Sequence, residues 1–471
     1  MDALDSCACS GGNLPRFVQP VLLALLARQP MHGYALAQKL EDTGLFGPQP
    51  PDLTGCYRML REMERSGVLA TTLDRGEGPA RKRYEVTALG RRCLNRWIAS
   101  LSSSRDHLDR VLGVLVAAQD ACAAAEEDCA FIDEVQRRAM AGELPRRGDV
   151  LRLLAFAPDS PQTAYLGRLA RETARKAFGN KAGVWAAVGV DSAPCSMSCA
   201  FCAFGARWGV VRGRHERTFE AIVDAARRYA ADGASWIVLR TTEHYGTERL
   251  CGLAREVRAV LPETCALVAN TGQMDKEEIR RLREAGVRVM YHALRLGEGK
   301  DTPFDPGERR AALTRIRDAG MTLAHLVEPL GPEHSDEEIA DVLLTALAAG
   351  ARICGVMARS PVPGTPFEGK QTVSDARVAQ IAAIIRLCGG VNVPHVCVHP
   401  PVSQAVAWGA NVVVVETGAV PRDGKEATGA WRGFSVHDAV GLLTRHGYEV
   451  DGRSSASACP EGGVSSAPSD V

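Results

Sequence analysis

Several features are missing from this chain of 471 residues, and each absence excludes something. Net charge is absent: 56 Lys and Arg balance 56 Asp and Glu. No global field therefore draws the protein to nucleic acid or to a membrane surface, and any such partner must be met by a local patch. Long apolar runs are absent too; none reaches the roughly 20 residues that a membrane-spanning helix needs. The opening Met1-Asp-Ala-Leu-Asp5 lacks the basic stretch of a secretory signal. The expectation is a cytoplasmic chain with no membrane partner. Aromatic residues are scarce, at 5%. Cysteine is plentiful, but its number, 15, is odd, and the chain is long, which argues against a disulfide scaffold. Cys251, Cys265, Cys354, Cys388 and Cys397 lie in largely apolar runs and read as small buried hydrophobes. Cys7 and Cys9 receive no role. A hydrophobic content of 46% permits a large core, and the length suggests two or three domains.

Three cysteines stand apart. Cys195, Cys199 and Cys202 lie in Pro194-Cys-Ser-Met-Ser-Cys-Ala-Phe-Cys-Ala-Phe-Gly205, a Cys-x3-Cys-x2-Cys run with an aromatic before the last cysteine. Three thiolates on one short loop suit three irons of a [4Fe–4S] cube and leave the fourth open to an exogenous molecule. The alternatives are a zinc site or a redox loop. Zinc asks for four ligands, commonly in paired spacings, and no fourth is evident nearby. The run resembles the signature of the radical S-adenosylmethionine (SAM) superfamily. That resemblance implies a [4Fe–4S] cluster whose open iron chelates SAM. It also implies an electron donor such as flavodoxin or ferredoxin, and cleavage of the sulfonium to methionine and a 5′-deoxyadenosyl radical.

Residues 14–100 pattern as helix, helix, third helix and a two-stranded hairpin, an all-α winged helix-turn-helix unit. Tyr57, Leu60 and Met63 recur at helical spacing within 54–66. Strands are expected at 68–73 and 82–86, with a glycine- and arginine-rich tip between them. Met31-His-Gly-Tyr-Ala-Leu36, Tyr57-Arg-Met-Leu-Arg-Glu-Met-Glu-Arg-Ser-Gly-Val-Leu69 and Arg83-Tyr-Glu-Val-Thr-Ala-Leu-Gly90 resemble the PadR family of transcriptional regulators. The resemblance implies promoter DNA as a partner, with the third helix in the major groove and the wing on the backbone. Arg58, Arg61, Arg65, Arg75, Arg81, Lys82 and Arg83 would then meet phosphates. The same charges also read as a solvated face on a domain that serves only protein contacts. Residues 101–140 read as a helical linker. Its Leu108, Val111, Leu112, Leu115 and Val116 make an apolar stripe suited to homodimerisation through the N-terminal unit.

Residues 141–447 alternate strand and helix. Strands are expected at 183–190, 235–242, 265–271, 288–294, 321–328, 352–358, 394–398 and 411–416. Eight such units predict a parallel α/β (βα)8 barrel of the TIM type, with function at the C-terminal strand ends. The segment from Asp451 is rich in Ser, Gly, Pro and Ala, and 448–471 is expected to be a disordered tail. The region 141–447 resembles the biotin synthase-like branch of radical SAM enzymes, which includes a hydrogenase maturase and methylornithine synthase. That likeness implies cofactor contacts from Thr242 and Glu243 after strand two, Asn270 after strand three, and Arg295 and Glu298 after strand four. Arg295 is suited to the SAM carboxylate as a guanidinium fork. His325, Glu328, Arg359 and His399 are candidates for catalysis or for substrate contact, each with a plain structural alternative. A carboxylate such as Glu328 at the end of an apolar strand needs a partner or a cavity. The strand ends where biotin synthase carries further cysteines read Val268-Ala-Asn-Thr-Gly272 and Leu323-Ala-His-Leu-Val327, so dethiobiotin sulfuration is not expected. The expectation is an enzyme that abstracts hydrogen from a small metabolite, joined to a DNA-binding regulatory module. The alternative is a PadR-type regulator whose barrel senses SAM, redox state or a metabolite without turnover.

Overall fold

The computed structural model describes residues 17–45, 53–74, 81–123, 126–417 and 433–450. Cys7, Cys9, Arg75 and the tail from 451 onward lie outside the described residues. The chain divides into two compact units after Leu112.

The first unit begins with α1 (Val18–Arg28), β1 (Met31–His32), α2 (Gly33–Asp42) and α3 (Leu53–Arg65). The hairpin β2 (Leu69–Asp74) and β3 (Arg81–Val86) follows, antiparallel, with β1 completing a three-stranded sheet on the other edge of β3. Its core gathers Leu22, Leu23, Leu36, Leu60, Met63 and Tyr84. The strand β1 escaped sequence reasoning, since two residues are too short to show a period. The helix α4 (Ala88–Ala123) begins inside the expected winged-helix segment and spans the division.

The second unit opens with α5 (Glu126–Met140), α6 (Arg147–Leu154) and α7 (Pro161–Phe178). Although α5 falls in the expected linker, its Ile132 and Val135 enter the barrel unit's core, and Gln136 donates to the Leu169 carbonyl and the Thr173 hydroxyl, each at 3.0 Å. Then come β4 (Gly183–Gly189), β5 (Asp191–Ser192), β6 (His215–Glu216), α8 (Phe219–Ala231), β7 (Trp236–Arg240), α9 (Thr247–Val260), β8 (Ala266–Asn270), α10 (Lys276–Glu284) and β9 (Val289–Tyr291). The series ends with α11 (Pro306–Asp318), β10 (Thr322–Leu330), α12 (Asp336–Ala348), β11 (Ile353–Ala358), α13 (Asp375–Gly389), β12 (His395–His399), α14 (Ser403–Ala407), β13 (Val412–Thr417) and α15 (Val436–Arg445). Strands β4 and β7 to β13 pair in chain order, all parallel, and β13 returns to β4 to close the barrel.

Closure gives each strand two buried faces, and residues divide between them with period two. On β4, Val184, Ala186 and Val188 face the helices, while Trp185 and Ala187 face the barrel axis. Three of the scarce aromatics, Trp185, Trp236 and Tyr291, meet on that axis. Trp185 lies 6.2 Å from Trp236 and 6.1 Å from Tyr291, centroid to centroid, and His395 stacks edge-on against Trp236 at 4.9 Å. Trp236 and His395 are the first residues of their strands, so this aromatic plug fills the N-terminal end. The remaining interior space lies toward the C-terminal mouth.

One boundary is corrected. Residues 448–450, assigned to the disordered tail, are held in place. Tyr448 is buried under the Arg171 guanidinium at 3.9 Å, and Glu449 bridges to Lys181. A single buried aromatic outweighs the polar composition that follows it.

Candidate active site

The cysteine loop leaves β4 through Asp191 and folds back on itself. The Cys195 N–H donates to the Phe204 carbonyl at 2.6 Å, and the Ala206 N–H returns to the Cys195 carbonyl at 2.9 Å. The Cys202 N–H donates to the Cys199 carbonyl at 3.0 Å. Ser198, between the first two cysteines, has φ of +47°, the one positive value at a non-glycine position among the described residues. Its hydroxyl accepts from the Arg207 N–H at 3.2 Å, which helps to hold that conformation. Gly205 is required by sterics, because a Cβ there would sit 2.3 Å from the Trp208 ring. That indole in turn donates to the Cys199 carbonyl at 3.1 Å.

All three cysteines line one cavity of about 220 Å³ at the barrel mouth. Thr242, Glu243, Asn270, Arg295, Glu328 and Arg359 line the same cavity. Thr242 is fixed by Asp191, whose carboxylate accepts from its N–H at 2.8 Å and from its hydroxyl. Glu243 accepts from the Gln273 N–H at 3.1 Å. Glu328 is 2% exposed; it accepts from the Tyr291 hydroxyl and faces the half-buried Arg295 at 3.6 Å. Burial raises the Glu328 pKa, and Arg295 opposes that shift. Burial works against the Arg295 charge, but Glu328 and Glu298 hold it firmly protonated, above the ordinary guanidinium value. Arg359 is gripped by Glu333 and donates to the Gln371 carbonyl at 3.0 Å.

Three expected residues do not line this cavity. Glu298 lies behind it, accepting from the Arg295 N–H at 3.0 Å and from Thr302 at 2.5 Å, with the buried Arg309 at 3.5 Å. It braces Arg295 and is occupied by structural contacts. His325 has the wrong parity: Ala324 and Leu326 face the axis, so His325 faces the helices, where its Nε2 accepts from the Leu294 N–H at 3.1 Å. Burial lowers its pKa to about 4, so it is neutral at physiological pH. His399 pairs with Glu416 at 3.7 Å, away from the cavity wall. Conversely, sequence reasoning passed over Arg240 and Tyr291, which line the cavity. Counting by twos from Trp236 and Val289 would have found both.

The thiols suit an iron–sulfur cluster. None is in a disulfide. Burial pushes the Cys199 thiol up to about 12 and raises Cys202 as well, with Arg295 opposing in both cases. Such thiols stay protonated until a metal displaces the proton. Among the described residues, no three His, Cys, Asp or Glu side chains gather around a point that a single ion would occupy. The three thiols share one cavity wall.

In the first unit, Arg58, Arg61 and Arg65 are exposed along one face of α3, opposite the buried Cys56, Leu60 and Met63. Arg83 is exposed on the wing strand that Arg81 begins. Lys82 is engaged by Glu64 at 3.0 Å. On α4, Leu108, Leu112 and Leu115 are exposed.

Residues 192–346 match the radical SAM superfamily, and residues 22–96 match the transcriptional regulator PadR-like family. The barrel is a radical SAM domain and the head a PadR-like one. A biotin synthase of Persephonella marina is 23% identical over 281 residues, covering 55% of this chain and 81% of that enzyme. A biotin synthase of Heliobacterium modesticaldum is 29% identical over 208 residues, covering 42% of this chain and 63% of that enzyme. The crystal structure of a methylornithine synthase shares the barrel fold. Its TM-score is 0.56 at 18% identity, over 67% of this chain and 96% of that one. A maturase of the [FeFe]-hydrogenase superposes with a TM-score of 0.57 at 16% identity, over 70% of this chain and 78% of that one. The radical SAM domain, with its biotin synthase relatives, supports a radical SAM enzyme and implies a [4Fe–4S] cluster and SAM as its cofactors. No described helix is long and apolar enough to cross a membrane.

Proposed function

We propose that Cys195, Cys199 and Cys202 hold a [4Fe–4S] cluster and that SAM lies against Thr242, Glu243, Asn270 and Arg295. In this reading the barrel abstracts hydrogen from a small metabolite enclosed on the side of Glu328 and Arg359. Supplied with an electron, the bound cluster and SAM provide a 5′-deoxyadenosyl radical. The protein's part is orientation and exclusion of water. Arg295, braced by Glu298 and kept cationic by Glu328, is a fork for a carboxylate. Glu328, hydrogen-bonded to Tyr291 and paired with Arg295, offers a second polar anchor facing the cavity. The aromatic plug of Trp185 and Trp236 closes the far end of the barrel against solvent. The observation that carries the reading is the meeting of these cysteines with Thr242, Glu243, Arg295 and Glu328 around one cavity at the mouth of a closed parallel barrel.

The test is anaerobic reconstitution. Wild type takes up about four irons per chain and converts SAM to 5′-deoxyadenosine; Cys199→Ala loses both. Retention of both by that variant would refute the cluster assignment.

For the head, we propose DNA binding as a homodimer, supported by exposed Arg58, Arg61 and Arg65 on one helix face. A second reading, a regulator whose barrel senses SAM, redox state or a metabolite without turnover, is equally compatible with the PadR-like match. Gel shifts on the neighbouring promoter, with cluster intact and removed, separate the two. Binding that depends on the cluster without SAM turnover favours the sensor; absence of binding in both states ends it.

A further inference from the structure

We propose that the exposed basic strip running on from the cysteine loop, centred on Arg207, Arg212 and Arg214, is the docking surface for an acidic one-electron donor protein. This rests on the cluster assignment above.

The chain as a whole is neutral, yet residues 206–217 carry Arg207, Arg212, Arg214 and Arg217 against a single carboxylate, Glu216. That carboxylate is already engaged by Arg249 at 2.5 Å and by the Tyr245 hydroxyl. Arg207, Arg212, Arg214 and His215 are exposed. Across the strip, Gly364 lies against Val210, and the nearby Glu368 carboxylate is turned onto the Gly364 N–H at 3.0 Å. The surface is therefore a concentrated positive patch on a molecule with no net field.

Its position matters more than its charge. The Arg207 N–H is bonded to Ser198 inside the cysteine loop, and the adjacent Trp208 indole is bonded to the carbonyl of Cys199. A protein covering Arg207 and Trp208 stands one hydrogen bond from the backbone of a cluster cysteine. The cavity side of the loop is reserved for SAM and substrate, so an electron must arrive from the outer side. Electron transfer falls steeply with distance, and the strip is the surface that the loop itself extends to solvent. Transient redox partners use small interfaces, below about 1,200 Å², and rely on steering by opposite charge rather than on apolar burial. An acidic flavin or iron–sulfur protein fits that description. In the step itself one electron leaves the reduced donor and enters the cluster, with no bond formed or broken.

The experiment measures the rate of cluster reduction in the full chain carrying Arg207→Glu, Arg212→Glu and Arg214→Glu together. One reductant is a reduced acidic ferredoxin at low ionic strength; the other is photoreduced deazariboflavin, which is small and uncharged. Steering typically raises association 10- to 1,000-fold, so reduction by ferredoxin is expected to slow at least about tenfold and to lose its salt dependence. Reduction by deazariboflavin is expected to stay unchanged, with the cluster spectrum intact. Equal ferredoxin rates in both proteins overturn the docking surface and leave the cluster assignment standing. Loss of DNA affinity at an unchanged ferredoxin rate overturns it also, in favour of a nucleic-acid role. A wild-type chain that takes up no iron overturns the cluster assignment itself.

Discussion

Gly272 offers a sharp test of how SAM would be seated, because it does not itself line the cavity. It follows β8 in Asn270-Thr-Gly272 and packs against the turn that carries Thr242 and Glu243. A Cβ on Gly272 would lie 2.0 Å from the Glu243 carbonyl oxygen and 2.9 Å from its carbonyl carbon. Real Cβ contacts essentially never fall under 3.0 Å, so Gly272→Ala must push one of two backbone segments by about 1 Å. The clash is with backbone, and no flexible side chain can yield to relieve it. Overpacking of this kind costs about 1–3 kcal/mol. For a unit of this size that lowers Tm by roughly 1–4 °C. The larger effect is functional. A displacement of about 1 Å in a positioning segment costs on the order of 100-fold in rate. The variant is expected to keep its iron, since the cysteine loop is untouched, while SAM affinity and 5′-deoxyadenosine formation fall together. Iron content, calorimetric SAM binding and product release on one preparation separate these terms. An alanine variant with unchanged Tm and unchanged SAM affinity would show that the Thr242–Glu243 turn is not where SAM is held.

Two further outcomes follow from electrostatics and exposure. Burial would raise the Glu333 carboxyl, but its hydrogen bonds to Arg359 more than offset that and hold it at about 2, below its ordinary 4.5. A depressed acid pKa stabilises the fold above 4.5 and loses that contribution as pH falls toward 2; the shift corresponds to at most about 3 kcal/mol. Glu333→Gln is therefore expected to be less stable than wild type at pH 7, with the gap closing between pH 4.5 and 2 in urea titrations; a gap constant with pH would refute the assignment. On α4, Leu112→Glu with Leu115→Glu places charge on two exposed leucines. Sedimentation is expected to show a dimer become a monomer, with the iron content of the barrel preserved; an unchanged mass would remove this stripe from the proposed dimer contact.

The barrel was legible because every strand is buried on both sides. Such strands appear as short apolar runs, and eight of them separated by helical patterns leave few alternative folds. The cysteine loop was legible because three cysteines lie within eight residues, a spacing that points to cluster chemistry when read with the strand-and-helix pattern around it. The winged helix was legible for a related reason: its core positions repeat along α3, and its turn is marked by glycine. Parity was the signal left unused. It separates Glu328, which faces the cavity, from His325, which faces the helices, and it would have brought in Arg240 and Tyr291. The strand β1 carried no readable period, and the tail boundary at 448 left out Tyr448, whose partner Arg171 lies far away in the chain.

The division has a physical cause. Local periodicity, loop spacing and burial preference are properties of neighbouring residues, and they determined the elements, their order and the cysteine cradle. Which carboxylate meets which guanidinium depends on segments far apart in the chain. Only closure of the barrel set Glu328 against Tyr291 and Arg295, and only closure spent Glu298 on bracing Arg295 and left His399 paired with Glu416. A side chain's partner is chosen by distance in space, and that distance does not exist until the strands have met.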